Sequence, residues 1–172
     1  MSVTVRPARA EDGPVLREIE RLAGRRFRDV GLPDVADAEP LALDVLARYA
    51  TGGRCWVAVD DGDRPIGYVL VDRVDDNAHI EQMSVRPDRQ GAGVGRTLLE
   101  CVRLWAVDRA MTAVTLTTFR DVPWNAALYR HLGFRVLAGG EIGPELQAVR
   151  DAEAGHGLDP AARVCMRLEV RG

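Results

Sequence analysis

The chain is 172 residues long, with 47% apolar and 28% charged side chains, which suits one hydrophobic core and excludes a disordered or fibrous protein. A net charge of −3, from 23 Lys and Arg against 26 Asp and Glu, gives no global field for nucleic acid or an anionic membrane. No stretch reaches the ~18 apolar residues of a membrane span. Residues Met1 to Pro7 carry no apolar leader segment, so a cytoplasmic protein is expected.

Val3 to Arg6 alternates apolar with polar and predicts a strand; Val15, Leu16, Ile19, Leu22 and Ala23 then share one helical face. Leu41 to Tyr49 predicts a second helix, ending before Gly52-Gly53. Cys55 to Val59, Ile66 to Val74 and Ala78 to Val85 are β-rich runs joined by Asp60-Asp61-Gly62-Asp63 and Asp75-Asp76-Asn77, the pattern of an antiparallel meander. After a glycine-rich loop, Leu98, Leu99, Val102, Trp105 and Ala106 mark the buried stripe of a helix from Val94 to Arg109. Ala113 to Thr118 is the next strand, reached by a right-handed crossover. Asn125 to His131 predicts a short helix closed by Gly133; Phe134 to Leu137 and Val164 to Val170 are the last strands, with a helical segment at Pro144 to Glu153 between them. No repeat or linker divides residues 1–172, so one domain is expected. Cys55, Cys101 and Cys165 lack any C-x-x-C spacing and read as small, buried, apolar residues; no metal site is expected.

Gln90-Gly91-Ala92-Gly93-Val94-Gly95 lies between a strand and a helix, where backbone amides and a helix N-terminus converge on an anion. Its glycines allow positive φ and a close approach of phosphate to the backbone. The spacing is not that of a dinucleotide fingerprint, because Arg96 stands where the third glycine belongs, and without lysine it is not a nucleotide P-loop.

Gln-x-x-Gly-x-Gly, preceded by Ser84-Val85-Arg86-Pro87 and followed by Leu98-Leu99, resembles the acetyl-CoA signature of the GCN5-related N-acetyltransferase (GNAT) family. Asn125-Ala126-Ala127-Leu128-Tyr129 and Leu132-Gly133-Phe134 resemble that family's second cofactor motif, and the likeness extends from about Val3 to Val170. It implies an α/β fold with a mixed, largely antiparallel sheet of about seven strands, split between the fourth and fifth and flanked by helices. It also implies that backbone groups of Met83, Ser84 and Val85 bond the pantetheine of acetyl-CoA while Gln90, Gly91, Ala92, Gly93, Val94, Gly95 and Arg96 wrap the pyrophosphate. Asn125, Leu128 and Tyr129 join them as cofactor contacts, and Arg86, Arg89, Arg96 and Arg130 are candidates for the phosphates.

Acyl transfer to nitrogen needs a neutral amine and a proton for the leaving thiolate. The resemblance gives Tyr129 as general acid and Glu81 as base, direct or through water. His79, two residues from Glu81 on the same strand, is the alternative base. An ordinary Glu is a poor match to an ammonium, so burial or a water relay has to help. The acceptor is expected to be a primary amine of a small molecule, amino acid or peptide, with Trp56, Phe119 and Trp124 as possible pocket walls and residues 141–162 as a possible cover. A homodimer is the default assembly. A catalytically idle CoA sensor is the rival reading; it would keep Gln90 to Gly95 and tolerate loss of Glu81 and Tyr129.

Overall fold

The structure, a computed structural model, describes residues 2–170. Its strands are β1 Thr4–Pro7, β2 Cys55–Val59, β3 Pro65–Val74, β4 Asn77–Val85, β5 Ala113–Phe119, β6 Arg135–Val136 and β7 Arg163–Glu169, in the sheet order β1-β2-β3-β4-β5-β7-β6. The helices are α1 Gly13–Gly24, α2 Pro33–Ala36, α3 Leu43–Thr51, α4 Val94–Asp108, α5 Ala126–His131 and α6 Pro144–Gly155. The sheet is mixed: β1 to β3 pair antiparallel, β5, β6 and β7 likewise, and β4 runs parallel to β5 in register at Ala78↔Val114 and His79↔Thr115. Among the described residues no helix is long and apolar enough to cross a membrane.

Contacts gather the chain into two compact units, one holding the residues up to Val71 with Glu81–Cys101, the other Asp72–Ile80 with the chain from Val102 onward. In the first, Leu16 and Ile19 of α1 and Leu46 of α3 pack with Val57, Tyr68 and Leu70 of the meander. The period of α1 that places Leu16 and Ile19 on one face is therefore what seats it on the sheet. Arg6 forks onto Asp12 at 2.9 and 3.1 Å, and Asp12 accepts the Arg9 amide at 2.7 Å, which pins the turn leading into α1. Cys55 is buried here, and burial, aided by the charge of Asp12, pushes its thiol up to about 12. Cys165 is also buried, whereas Cys101 is partly exposed. The chain leaves α1 as 3₁₀ turns over Arg25–Val30 and then forms the one-turn α2, neither of which apolar periodicity reveals.

In the second unit β5 and β7 pair along their whole length, from Ala113↔Glu169 to Phe119↔Arg163. The strand expected at Phe134 to Leu137 shortens to two residues because the Phe134 amide bonds the Tyr129 carbonyl and so closes α5 instead of joining the sheet. Leu146 of α6 packs with Val74, Leu137 and Cys165. The tight β3–β4 turn holds Asp75 and Asp76 at positive φ, and the Asp75 carboxylate accepts the amides of Glu145 and Leu146 at 3.0 Å each. Asp75 thus caps α6 from a distance of 70 residues, a task local sequence leaves to Gly143. A Cβ on Gly143 would overlap that carboxylate. Asp75→Ala and Gly143→Ala are each expected to lower stability by about 1–2 kcal/mol, the loss of one cap. Because both remove the same contact, the double variant falls short of additivity in urea unfolding.

Candidate active site

β4 ends where the Arg86 amide bonds the Ile66 carbonyl at 2.9 Å, and a 3₁₀ turn over Pro87–Arg89 leads into the glycine loop. Gly91 and Gly93 both stand at φ +82°, the left-handed region, and a Cβ at either would meet no atom within 4 Å. Both glycines therefore stand in open space just before α4 begins at Val94. The Gly93 carbonyl accepts both the amide and the hydroxyl of Thr97, at 3.0 and 2.9 Å, which fixes the loop onto the first turn of α4. First-turn amides of a helix have no intrahelical partner and carry its positive dipole end. A bare backbone cradle at such a terminus fits the pyrophosphate of coenzyme A.

The side chains bordering the loop are only partly those the sequence suggests. Arg86 forks onto Asp88 at 3.0 and 3.1 Å, with Arg89 4.0 Å from the same carboxylate, so two of the four arginine candidates already face an anion. Arg96 is exposed, as is Arg130 in the other unit. Gln90 donates to the Val85 carbonyl at 3.3 Å and accepts from Arg26 Nη1 at 2.9 Å. Arg26 lies 64 residues earlier in the chain, and no local motif marks it. Beneath β4, Gln82 donates to Ser84 Oγ at 2.9 Å, and Tyr68 donates to Glu20 at 3.4 Å, where the Leu41 amide also bonds. Burial raises the Glu20 carboxyl above the ordinary carboxylate range.

Glu81 is exposed, whereas His79 is 1% exposed. His79 Nδ1 lies 2.9 Å from Thr115 Oγ1, and burial lowers the imidazole to about 4, against the pull of Asp72 and Glu153. The folded state therefore disfavours the proton. The unfolded chain takes it up near the ordinary value of about 6.5, so stability is undiminished above that pH and falls as the pH drops toward 4. The gap corresponds to roughly 3 kcal/mol. Acid unfolding followed by circular dichroism is expected to show this loss between about pH 6.5 and 4, and His79→Gln to flatten that part of the profile.

Asn125 occupies the cap position of α5, at φ −110° and ψ −106°, and its carbonyl accepts the Tyr129 amide at 3.1 Å. The helix begins one residue later than the sequence predicts, so Asn125 stands at its terminus. Leu128 is exposed. The Tyr129 ring meets Phe134 edge-on, centroids 5.6 Å apart, and burial raises its phenol to about 12. Phe119 is buried beneath the Arg163 guanidinium, 4.6 Å from the ring centre, while Trp56 and Trp124 are half-buried. Arg163 also bonds Glu153 at 3.1 Å, and Thr117 donates to the same carboxylate at 2.6 Å, tying α6 to β5 and β7.

A turn of open glycines feeding a helix, at the end of the fourth strand of a mixed seven-stranded sheet, is the arrangement that the resemblance to the GNAT acyltransferases implies. Residues 51–136 match the acetyltransferase (GNAT) domain model. The peptidyl-lysine N-acetyltransferase YjaB of Salmonella typhimurium (strain LT2) is 30% identical over 146 residues, covering 83% of this chain and 90% of that protein. A GNAT-family acetyltransferase from Staphylococcus aureus Mu50 shares the fold at a TM-score of 0.71 and 15% identity, covering 99% of this chain and 100% of the other. The PaiA N-acetyltransferase of Thermoplasma acidophilum, solved with coenzyme A, gives 0.68 at 15% identity, over 98% and 99%. The chain belongs to the GNAT family. It is an acetyl-CoA-dependent N-acetyltransferase with an amine acceptor, and this sets aside the idle sensor.

Proposed function

We propose that this acetyltransferase is a single-domain cytoplasmic enzyme that acetylates a primary amine, in the first instance a lysine side chain of a protein or peptide. The reading of the donor site rests on the loop whose Gly91 and Gly93 turn at φ +82° into open space ahead of α4. The lysine acceptor rests on likeness to the Salmonella peptidyl-lysine enzyme. A net charge of −3 speaks against a nucleic-acid partner and suits a cationic acceptor. A homodimer is the assembly we would test first.

In this reading Gln90 to Arg96 hold the pyrophosphate through backbone amides, and Met83, Ser84 and Val85 bond the pantetheine arm through theirs. Asn125, Leu128 and Tyr129 complete the cofactor contacts. Acetyl-CoA, when bound, supplies an acetyl group activated as a thioester. Glu81, exposed on β4, takes the proton of the acceptor ammonium, directly or through water. His79 does not share that role, because its burial and its bond to Thr115 withdraw it. Tyr129 Oη keeps its proton across the neutral range and offers it to the departing sulfur.

Mass-spectrometric scoring of acetyl transfer tests this, with lysine peptides, peptides carrying a free α-amine, and free amino acids as acceptors. Lysine peptides are expected to lead, and Glu81→Gln to slow them by about 10² or more at neutral pH, with recovery as alkali deprotonates the amine. A free amino acid as the best acceptor would overturn the peptide assignment; a Glu81→Gln enzyme as fast as wild type at pH 7 would remove Glu81 as base.

A further inference from the structure

A glutamine carries a donor and an acceptor at one end, and the network around it decides which of the two is turned outward. Gln82 stands on β4 between Glu81 and Met83, half-buried, and shares a face of the strand with Ser84. From there a file of polar groups runs beneath α1. Its far end is Glu20 Oε2, which receives the Leu41 amide at 3.1 Å and so acts as an acceptor even if the other oxygen of that carboxyl carries a proton. The hydroxyl of the fully buried Tyr68 gives its proton to the same oxygen at 3.4 Å. Burial raises the Tyr68 phenol well above its ordinary value, and the buried Ser84 hydroxyl, a hydrogen-bond donor to the phenol oxygen, acts the other way. Ser84 Oγ in turn receives the Gln82 side-chain nitrogen at 2.9 Å. Each hydroxyl has one proton to give, so the direction set at Glu20 passes through Tyr68 and Ser84 and holds the Gln82 nitrogen inward. Gln82 Oε1 has no partner among the described residues and is not one of the buried unpaired atoms, which makes it an open acceptor on β4.

We propose that Gln82 is an acceptor-binding residue whose Oε1 takes an N–H of the incoming amine, with Glu20, Tyr68 and Ser84 as the positioning residues that fix the amide in this orientation. The inference rests on the reading of Met83 to Val85 as the strand end that carries the thioester arm, which the acceptor nitrogen has to approach. A primary amine keeps two N–H groups after the base has taken one proton. One of them can stay on Gln82 while the lone pair turns to the thioester, so the contact holds the nitrogen before and after its deprotonation.

The test is steady-state kinetics on the best acceptor of the peptide and amino-acid screen, with wild type, Gln82→Leu, Gln82→Glu, Tyr68→Phe and the Gln82→Leu/Tyr68→Phe double variant. Calorimetric titration of CoA and a melting curve accompany each. Gln82→Leu keeps the bulk and removes the oxygen. It is expected to raise KM for the acceptor about tenfold or more, the size of a lost hydrogen bond to a charged group, with kcat, CoA affinity and melting temperature close to wild type. Gln82→Glu keeps an acceptor oxygen in place and should return KM to the wild-type value or below it. Tyr68→Phe frees Ser84 to turn its proton toward Gln82, so that the amide can reverse; KM should rise by less than in Gln82→Leu. In the double variant Tyr68→Phe should add nothing, because the oxygen whose direction it sets is gone. If Gln82→Leu keeps the wild-type KM, or weakens CoA binding in step with the acceptor, Gln82 does not hold the amine and the proposal fails. If Tyr68→Phe leaves KM unchanged, or adds its full effect to Gln82→Leu, the positioning role of the file fails. A free amino acid as best acceptor overturns the peptide assignment alone, since the Gln82 comparison is then made on that amine, and the two readings fail separately.

Discussion

Tyr129→Phe is expected to reduce kcat about 100-fold while the affinity for acetyl-CoA and the melting temperature stay close to wild type. The change removes one hydroxyl and leaves the ring, so the edge-on contact with Phe134 persists. General acid catalysis spans about 10² to 10⁴ in rate, and acidity decides where Tyr129 falls. Burial holds its phenol at about 12, while an ordinary thiol ionises near 8.5. Complete proton transfer to the sulfur is therefore unfavourable in the resting site. In the proposed role the phenol would contribute mainly as a hydrogen bond that strengthens while negative charge grows on the sulfur, which places the expected effect at the lower end of the range. The raised value also fixes the pH behaviour. A group that stays protonated until about 12 gives no loss of rate between pH 7 and 10, so an alkaline limb in that window belongs to some other group. Stopped-flow or steady-state release of free thiol measures kcat, and calorimetry measures binding. An unchanged kcat would remove Tyr129 as the acid, and a fall in affinity matching the fall in rate would leave it as a cofactor contact only.

Much of this arrangement is legible in the sequence because it is local. Gln90 to Gly95 announce a tight turn by glycine spacing alone, and Gly91 and Gly93 stand at positive φ there. The stripe Leu98, Leu99, Val102, Trp105 and Ala106 announces the helix that starts there; Trp105 is half-buried and the other four are buried. The parts that escape reading are made by residues far apart in the chain. Asp75 looks like turn chemistry, yet its carboxylate caps α6 across 70 residues. Arg26 sits in a segment with no apolar period and meets Gln90 only after folding. His79 and Glu81 stand two apart on one strand, and the sequence reading gives Glu81 as base with His79 as its alternative; folding buries His79 against Thr115 and leaves Glu81 exposed. Periodicity tells which face a residue occupies; it does not tell what covers that face. Asn125 shows the converse limit, since a helix pattern cannot tell a first turn from a cap, and the φ and ψ of one residue decide it.

Gly93→Asp should abolish binding of CoA and acetyl-CoA, by at least about 100-fold, without unfolding the protein. Asp is among the residues that best tolerate left-handed backbone, and a side chain at Gly93 meets nothing within 4 Å, so the loop can keep its shape. The added carboxylate would stand beside the position of the pyrophosphate. Two unit charges about 4 Å apart repel by about 4 kcal/mol at an effective dielectric of 20, enough for a loss of two to three decades. Gly93→Asn carries the same bulk and the same backbone strain without the charge, and it should lose far less. The difference between the two variants should shrink as salt rises, because screening acts on the charge and not on the bulk. Calorimetric titration at low and high ionic strength reads both effects. If Asp and Asn at this position weaken binding equally at every salt concentration, the obstruction is steric and the phosphate lies elsewhere on the loop. If neither weakens it, the cradle between β4 and α4 does not hold the cofactor, and the roles of Gln90 to Arg96 fall with it.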